Sequence, residues 1–388
     1  MGTLKKRKPI NISARTVLLS VSLVLTIFVM TDLKLIGYLG LLLLLFLALW
    51  GSSATIKFDG VCKATICYIG ILLFRFIVLL LQGEIYDNSI NSLVVQCVFV
   101  VFALAIRNSK LSYNVWKTGV VFYSVVIAGV GVLLYTTSSL VNSDLFGSTY
   151  GNMLYIASVF CLIVFSRDHS VSLILLSILI VALTWLSGTR SAFLSEIVMY
   201  VVWILFTKRK YKKRTYYLLF IIMITICFVI PYLYMALFNA TKTGTTLGNI
   251  STYLISFVRE KTGANFYSGR QVLWPYIIEA MNEKFLLGYG VGFTPSEIYN
   301  TNFSAHNLFF FCRLETGIIG FVAFIVLLFN YLKGFYKNRC STGVGLAFMS
   351  SLMLQQTFSL GLLSGKGSFA IPCWFAFAIL SLQDDTER

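Results

Sequence analysis

Apolar runs approaching the length of a membrane span alternate with short polar breaks along nearly the whole chain. They fall at 17–31, 33–50, 61–82, 94–106, 118–136, 153–166, 171–187, 191–207, 218–238, 309–332, 344–360 and 368–383. A helix crossing a bilayer needs about 20 predominantly apolar residues. The pattern therefore predicts an all-α polytopic membrane bundle of about 12 transmembrane helices. The interruption from 239 to 305 is different: it is long and polar, yet Val272, Leu273, Tyr276, Ile277 and Ala280 recur in it at helical spacing. That spacing predicts a partly helical segment lying on the membrane surface. The chain then divides into N-terminal spans (1–238), a large extracytoplasmic loop (239–305) and C-terminal spans (306–388).

Composition supports this class. Of 388 residues 58% are apolar and 12% charged, about half the charge of a soluble domain, which excludes an ordinary soluble enzyme. The 31 Lys and Arg outnumber the 15 acids, for a net charge of +16. Nucleic-acid-binding proteins gather such charge on a soluble face. Here it sits in short tracts between spans: Lys5, Lys6, Arg7 and Lys8; Arg107, Lys110 and Lys117; Lys208 to Arg214; Lys333, Lys337 and Arg339. An N-terminus in the cytoplasm puts all of these tracts on one side, as the positive-inside rule requires. Both termini are then cytoplasmic, and no nucleic-acid partner is indicated. No cleavage site follows the first apolar run, so it reads as a retained helix, not a signal peptide. Eight scattered cysteines without a CxxC pair indicate neither a zinc site nor a disulfide framework and read as small apolar packing residues. No internal repeat is visible, which disfavours the inverted-repeat transporters.

A few residues could carry chemistry. His306, one of two histidines, lies where the large loop meets the tenth span. Its imidazole can take a proton from a hydroxyl near neutral pH, or it can simply anchor the helix end; His169 reads as a solvated turn residue. Arg190, in the tight turn Ser187-Gly-Thr-Arg-Ser-Ala192, offers a planar fork suited to phosphate oxygens, with a snorkelling interfacial arginine as the alternative. Arg270 starts the helix predicted in the loop, where Ser268 or Gly269 can cap and the first amides favour an anion. The run Gly288-Tyr-Gly-Val-Gly292 lacks a βαβ context and reads as a flexible turn. Arg313, seven positions after His306, shares a face with it if the helix is continuous. Lys63, Arg75, Glu196 and Glu315 are further ionisable groups within spans, and a structural pairing of Arg313 or Arg75 with Glu196 is the competing reading.

Together these segments resemble the bacterial O-antigen polymerase and O-antigen ligase superfamily. The likeness rests on His306-Asn307, a nine-residue spacer (308–316) and Gly317-Ile-Ile-Gly320. It also rests on the Gly-Thr-Arg190 turn, on Gly-Arg270 ahead of Leu286-Leu-Gly-Tyr-Gly290, and on one large loop before the histidine. It covers about 187–320, while the first seven spans match only in character. The resemblance implies a glycosyltransferase C-like fold in the bacterial cytoplasmic membrane and a glycan donor linked through pyrophosphate to undecaprenol. It implies that Arg190 and Arg270 bind the pyrophosphate and that His306 deprotonates or orients the acceptor hydroxyl; Asn307 and Arg313, close to His306 in the chain, are further candidates to bind substrate. The partners it implies are the lipid-linked donor, a glycan acceptor, membrane lipid and a chain-length regulator protein, with no cofactor.

The residue chemistry is compatible with this. Two arginines can stabilise a pyrophosphate leaving group without a metal, and one base suffices for a single in-line displacement, which inverts the anomeric centre. Glu260, Glu279, Glu283 and Glu297 are spread among basic residues, so metal-independent turnover is expected. Polymerase and ligase share these residues and differ in acceptor: another lipid-linked repeat unit, which receives the growing chain, or lipid A-core or another final acceptor, which receives the finished one. A polymerase is expected, with a ligase as the alternative. A flippase or transporter would gather its ionisable groups near the bilayer midplane, whereas Arg190, Arg270 and His306 fall at the outer interface and in the loop.

Overall fold

The computed structural model describes residues 13–26, 34–50, 58–109, 111–136, 148–207, 212–243, 245–262, 267, 269–299, 305–338, 342–363 and 367–382. The N-terminal basic flank, Lys110, positions 208–211 of the basic tract, Ser268, Arg339 and Cys340 lie outside the described residues. Fifteen helices and no strand occur among those described. They are α1 (Ala14–Leu25), α2 (Lys34–Trp50), α3 (Gly60–Gln82), α4 (Ser89–Asn108), α5 (Tyr113–Thr136), α6 (Ser148–Asp168), α7 (Val171–Leu186), α8 (Arg190–Thr207), α9 (Lys213–Ala240), α10 (Thr246–Thr262), α11 (Arg270–Glu283), α12 (Ser296–Tyr299), α13 (Leu308–Lys337), α14 (Thr342–Thr357) and α15 (Gly367–Ser381). Each predicted span coincides with one of α1–α9 or α13–α15. Among the described residues, seven helices are long and apolar enough to cross a membrane: α3, α4, α5, α6, α8, α9 and α13. Helices α1, α2, α7 and α15 are apolar but shorter. Leu133, Leu175 and Ile204 are each 64% exposed on the bundle's outside, and an apolar surface this wide faces lipid. The protein is an integral, polytopic helical membrane protein.

Ion pairs at helix termini define one end of the bundle. Asp59 caps α3, accepting from the amides of Val61 (3.1 Å) and Cys62 (3.2 Å), and binds Arg107 at the end of α4, Nη1 to Oδ1 at 3.1 Å. Lys117 near the start of α5 pairs with Asp168 at the end of α6. Following the alternation of the chain, Lys213, Lys333 and Lys337 reach this same end. The opposite end is where α4, α6, α8 and α13 begin and α3 and α14 finish.

At that opposite end α13 is broken. Gly317 has φ 63° and ψ −164°, a conformation essentially restricted to glycine. The break removes helical partners from the carbonyls of Leu314 and Glu315 and the amides of Ile318 and Ile319. Buried backbone groups need partners, and the segment after α11 supplies them. Tyr289 N donates to Leu314 O (2.7 Å) and Gly290 N to Glu315 O (2.9 Å), while Ile318 N donates to Phe285 O (2.9 Å) and Ile319 N to Leu286 O (3.4 Å). A Cβ on Gly288 would collide with the Leu314 carbonyl, and one on Gly317 with the Leu286 backbone. Arg75 of α3 adds a bond to Gly288 O at 3.0 Å. The expected flexible turn at 288–292 is therefore a docked strap, because its glycines permit backbone-to-backbone approach.

Within 239–305 the predicted helix forms as α11. Leu273, Ile277 and Ala280 are buried with Trp274 and Met281, while Val272 and Tyr276 are exposed. Trp274 packs on Tyr234 of α9 and Phe310 of α13, with ring centroids 5.3 and 5.9 Å apart. Three of the five residues expected on the membrane surface, Leu273, Ile277 and Ala280, are thus packed against the bundle. It is α10 that carries an exposed apolar row: Leu247, Ile250, Tyr253 and Phe257.

Candidate active site

The N-terminus of α13 fixes the histidine. Asn307 is the N-cap, its Oδ1 accepting from Phe309 N (2.9 Å) and Phe310 N (3.0 Å). The preceding Ala305 carbonyl accepts from the Trp274 indole at 3.2 Å. Between these two anchors His306 adopts φ 46°, an uncommon backbone conformation for a residue with a side chain. Half-buried, it lines a cavity of about 380 Å³.

Arg270 lines the same cavity. It is the first residue of α11, after the left-handed N-cap Gly269. Its Nη2 donates to the Phe358 carbonyl at 3.1 Å, and the guanidinium lies 5.8 Å from the Phe358 ring centroid. Its Nε is buried without a hydrogen-bond partner. Burial pulls the Arg270 pKa below its usual value; Tyr234 opposes that shift and Arg190 adds to it. Arg190 opens α8, with its backbone N donating to Gly188 O at 3.0 Å, and lines a smaller pocket of about 250 Å³ while its neighbour Ser191 lines the main cavity. Both arginines stand on helix N-termini, whose free amides add positive potential. An anion placed between two such cations relieves their mutual repulsion.

Glu315 forms the third element of the site. Fully buried, it reaches the cavity wall from α13. Its Oε1 accepts from Gly292 N (2.7 Å) and Ser92 Oγ (3.0 Å), and its Oε2 from Gln96 Nε2 (2.6 Å). It joins the strap to α4.

Some sequence expectations differ from the structure. His306 precedes the helix and has left-handed backbone, so it shares no helical face with Arg313. Arg313 lies over the Phe285 ring, 5.0 Å from its centroid, and is not among the residues lining the cavity. Asn307 is fully buried and outside the lining as well; capping occupies its oxygen, and its Nδ2 has no partner. The expected pairing of Arg313 or Arg75 with Glu196 does not form either. Glu196 accepts from Thr184 Oγ1 at 3.0 Å, and Arg75 is bound to Gly288 O.

Several lining residues escaped sequence reasoning: Asn88, Asn91 and Ser92 of the α4 start, Asn152 of α6, and Phe358 and Ser359 after α14. They come from stretches that looked like generic spans and connections. The amide-rich starts of α4 and α6, and the Gln355-Gln356 pair inside an apolar run, were the available signals. Gln355 Nε2 in fact donates to Asn152 Oδ1 at 2.8 Å.

Residues 175–325 match the family model described as O-antigen ligase. The matched segment runs from α7 through the broken part of α13 and contains Arg190, Arg270, His306 and Glu315. No curated protein matches the sequence.

Proposed function

We propose that this integral membrane protein of the O-antigen polymerase and ligase superfamily transfers a glycan from an undecaprenyl-pyrophosphate donor to a sugar hydroxyl at the outer face of the bacterial cytoplasmic membrane. One observation carries the proposal: a single cavity holds His306 and Arg270, and Ser191, the neighbour of Arg190, lines it as well. The cavity lies at the bundle end opposite the described basic helix termini. That placement supports an outward-facing site and cytoplasmic termini under the positive-inside rule.

In the proposed step an acceptor hydroxyl oxygen attacks the anomeric carbon. The bond from that carbon to the pyrophosphate oxygen breaks, and its electron pair leaves with the pyrophosphate. Arg270 and Arg190 stabilise the charge that gathers there. The hydroxyl proton passes to the His306 imidazole. One displacement inverts the anomeric configuration, and the two cations serve the leaving group without a metal. Asn307 holds the backbone turn that presents His306, and so acts as a positioning residue.

Polymerisation of lipid-linked repeat units is the form of the reaction we propose. The description of the matched family model favours a second form, ligation of a finished glycan to a final acceptor. Membranes lacking the protein separate the two: accumulated single lipid-linked units mean polymerase, accumulated long lipid-linked chains mean ligase. The site itself is tested by His306→Ala, Arg190→Ala and Arg270→Ala, with surface polysaccharide length read on a gel. Each should lose the ladder, and full-length ladders from all three would overturn the assignment.

A further inference from the structure

The cavity has a second, uncharged wall that the pyrophosphate chemistry does not use. Asn88 occupies the N-cap position of α4, yet its side chain makes no capping hydrogen bond. Asn91 is exposed one turn further on, and both amides line the cavity. Neither side chain is engaged by another described residue. Asn152 joins them; its Oδ1 accepts from Gln355, which leaves its NH₂ as donor. Phe311 and Phe358 are half-buried rings in the same lining.

A carboxamide offers a donor and an acceptor side by side, which matches a hydroxyl that is both. Aromatic faces take the apolar C–H face of a pyranose. An anion would be better met by Arg or Lys, and a polyprenyl chain would leave the amides unsatisfied. The chemistry of this wall is that of a neutral, hydroxyl-rich sugar ring. The wall's α4 part, Asn88 and Asn91, comes from a different side of the fold than the arginines, while Asn152 on α6 and Phe358 border them. Helix α4 packs on α2, α3 and α15, whereas α8 packs on α6, α7 and α14, and α11 on α9 and α13. In an in-line displacement the nucleophile approaches from the side away from the leaving group.

We propose that Asn88, Asn91 and Asn152 form the subsite for the acceptor's terminal sugar, and that Asn88 and Asn91 determine which acceptor is used. The proposal rests on the glycosyl-transfer reading above and adds where the acceptor binds.

The test uses full-length protein in liposomes, with two measurements. Transfer is followed with lipid-linked glycan extracted from membranes lacking the protein, and donor-site binding with undecaprenyl pyrophosphate alone. Asn88→Ala/Asn91→Ala should lower transfer by about ten-fold or more, as expected for two lost hydrogen bonds, and leave undecaprenyl-pyrophosphate affinity within about two-fold of wild type. Asn91→Asp, which keeps the size but replaces the donor amide, should behave likewise. Transfer within about two-fold of wild type in both variants would overturn the proposal. So would a matching loss of undecaprenyl-pyrophosphate binding, which would put these residues on the donor. Arg270→Ala is the control for the underlying reading: it should lose undecaprenyl-pyrophosphate binding, and retained binding there would overturn that reading itself.

Discussion

Glu315 Oε1 accepts the backbone amide of Gly292 at 2.7 Å, across the point where α13 is broken and the strap from 285 to 292 lies against it. The same carboxylate takes hydrogen bonds from Ser92 and Gln96 of α4. One buried side chain thereby sets the distance between two walls of the cavity, the strap with its continuation Phe293–Pro295 and the amide-rich start of α4. Such a carboxylate is held by its donors, and their loss leaves buried polar groups unpaired.

Glu315→Gln keeps one acceptor oxygen for Gly292 and Ser92 but turns an NH₂ toward the NH₂ of Gln96. Gln96 cannot turn over without cost, because its Oε1 accepts from Tyr68 OH at 2.9 Å. The expected cost is about 1–3 kcal/mol, seen as a lower unfolding temperature in detergent together with reduced transfer. Glu315→Gln/Gln96→Glu returns an acceptor to that pair and should recover part of both. A single variant as stable and as active as wild type would refute the brace.

Gly317→Ala acts on the break itself. Its backbone angles lie where side chains are strained by about 1–3 kcal/mol, and the new Cβ would meet the Leu286 backbone. The strap should be displaced, so limited proteolysis should gain cleavage between 285 and 295, with loss of transfer. Unchanged protease resistance would contradict the docking of the strap.

The spans were legible because lipid demands long apolar runs, and the structure brings His306 and Arg270, both singled out by the sequence, to one cavity. The break at Gly317 was not. It depends on amides and carbonyls at 285–290 meeting those at 314–319, and such pairing leaves no period in the sequence. The amide wall was hidden for a different reason. Asn91, Ser92 and Gln96 belong to α4, which begins at Ser89 and not at the apolar run from 94. Polar residues at a helix end look like a loop when only hydropathy is read. Arg313 shares no face with His306 because the seven-residue spacing assumes a continuous helix, and the helix starts two residues after His306.

Within the large loop, α10 is the helix expected to lie on the membrane surface. Leu247, Ile250, Tyr253 and Phe257 are 46, 51, 66 and 46% exposed, and their spacing places them on one face. The helix has another side already used: Ser251 is buried and hydrogen-bonded to Tyr267. An apolar row left outward beside exposed Ser256 and Arg259 is the arrangement of a helix lying in the headgroup zone. A nitroxide at Tyr253→Cys, in a background with the native cysteines replaced, should be accessible to oxygen dissolved in the bilayer and shielded from a water-soluble nickel chelate. The same label at Ser256→Cys should show the reverse preference. Equal accessibility to the chelate at both positions would mean that the row faces water, and α10 would then need another partner to cover it.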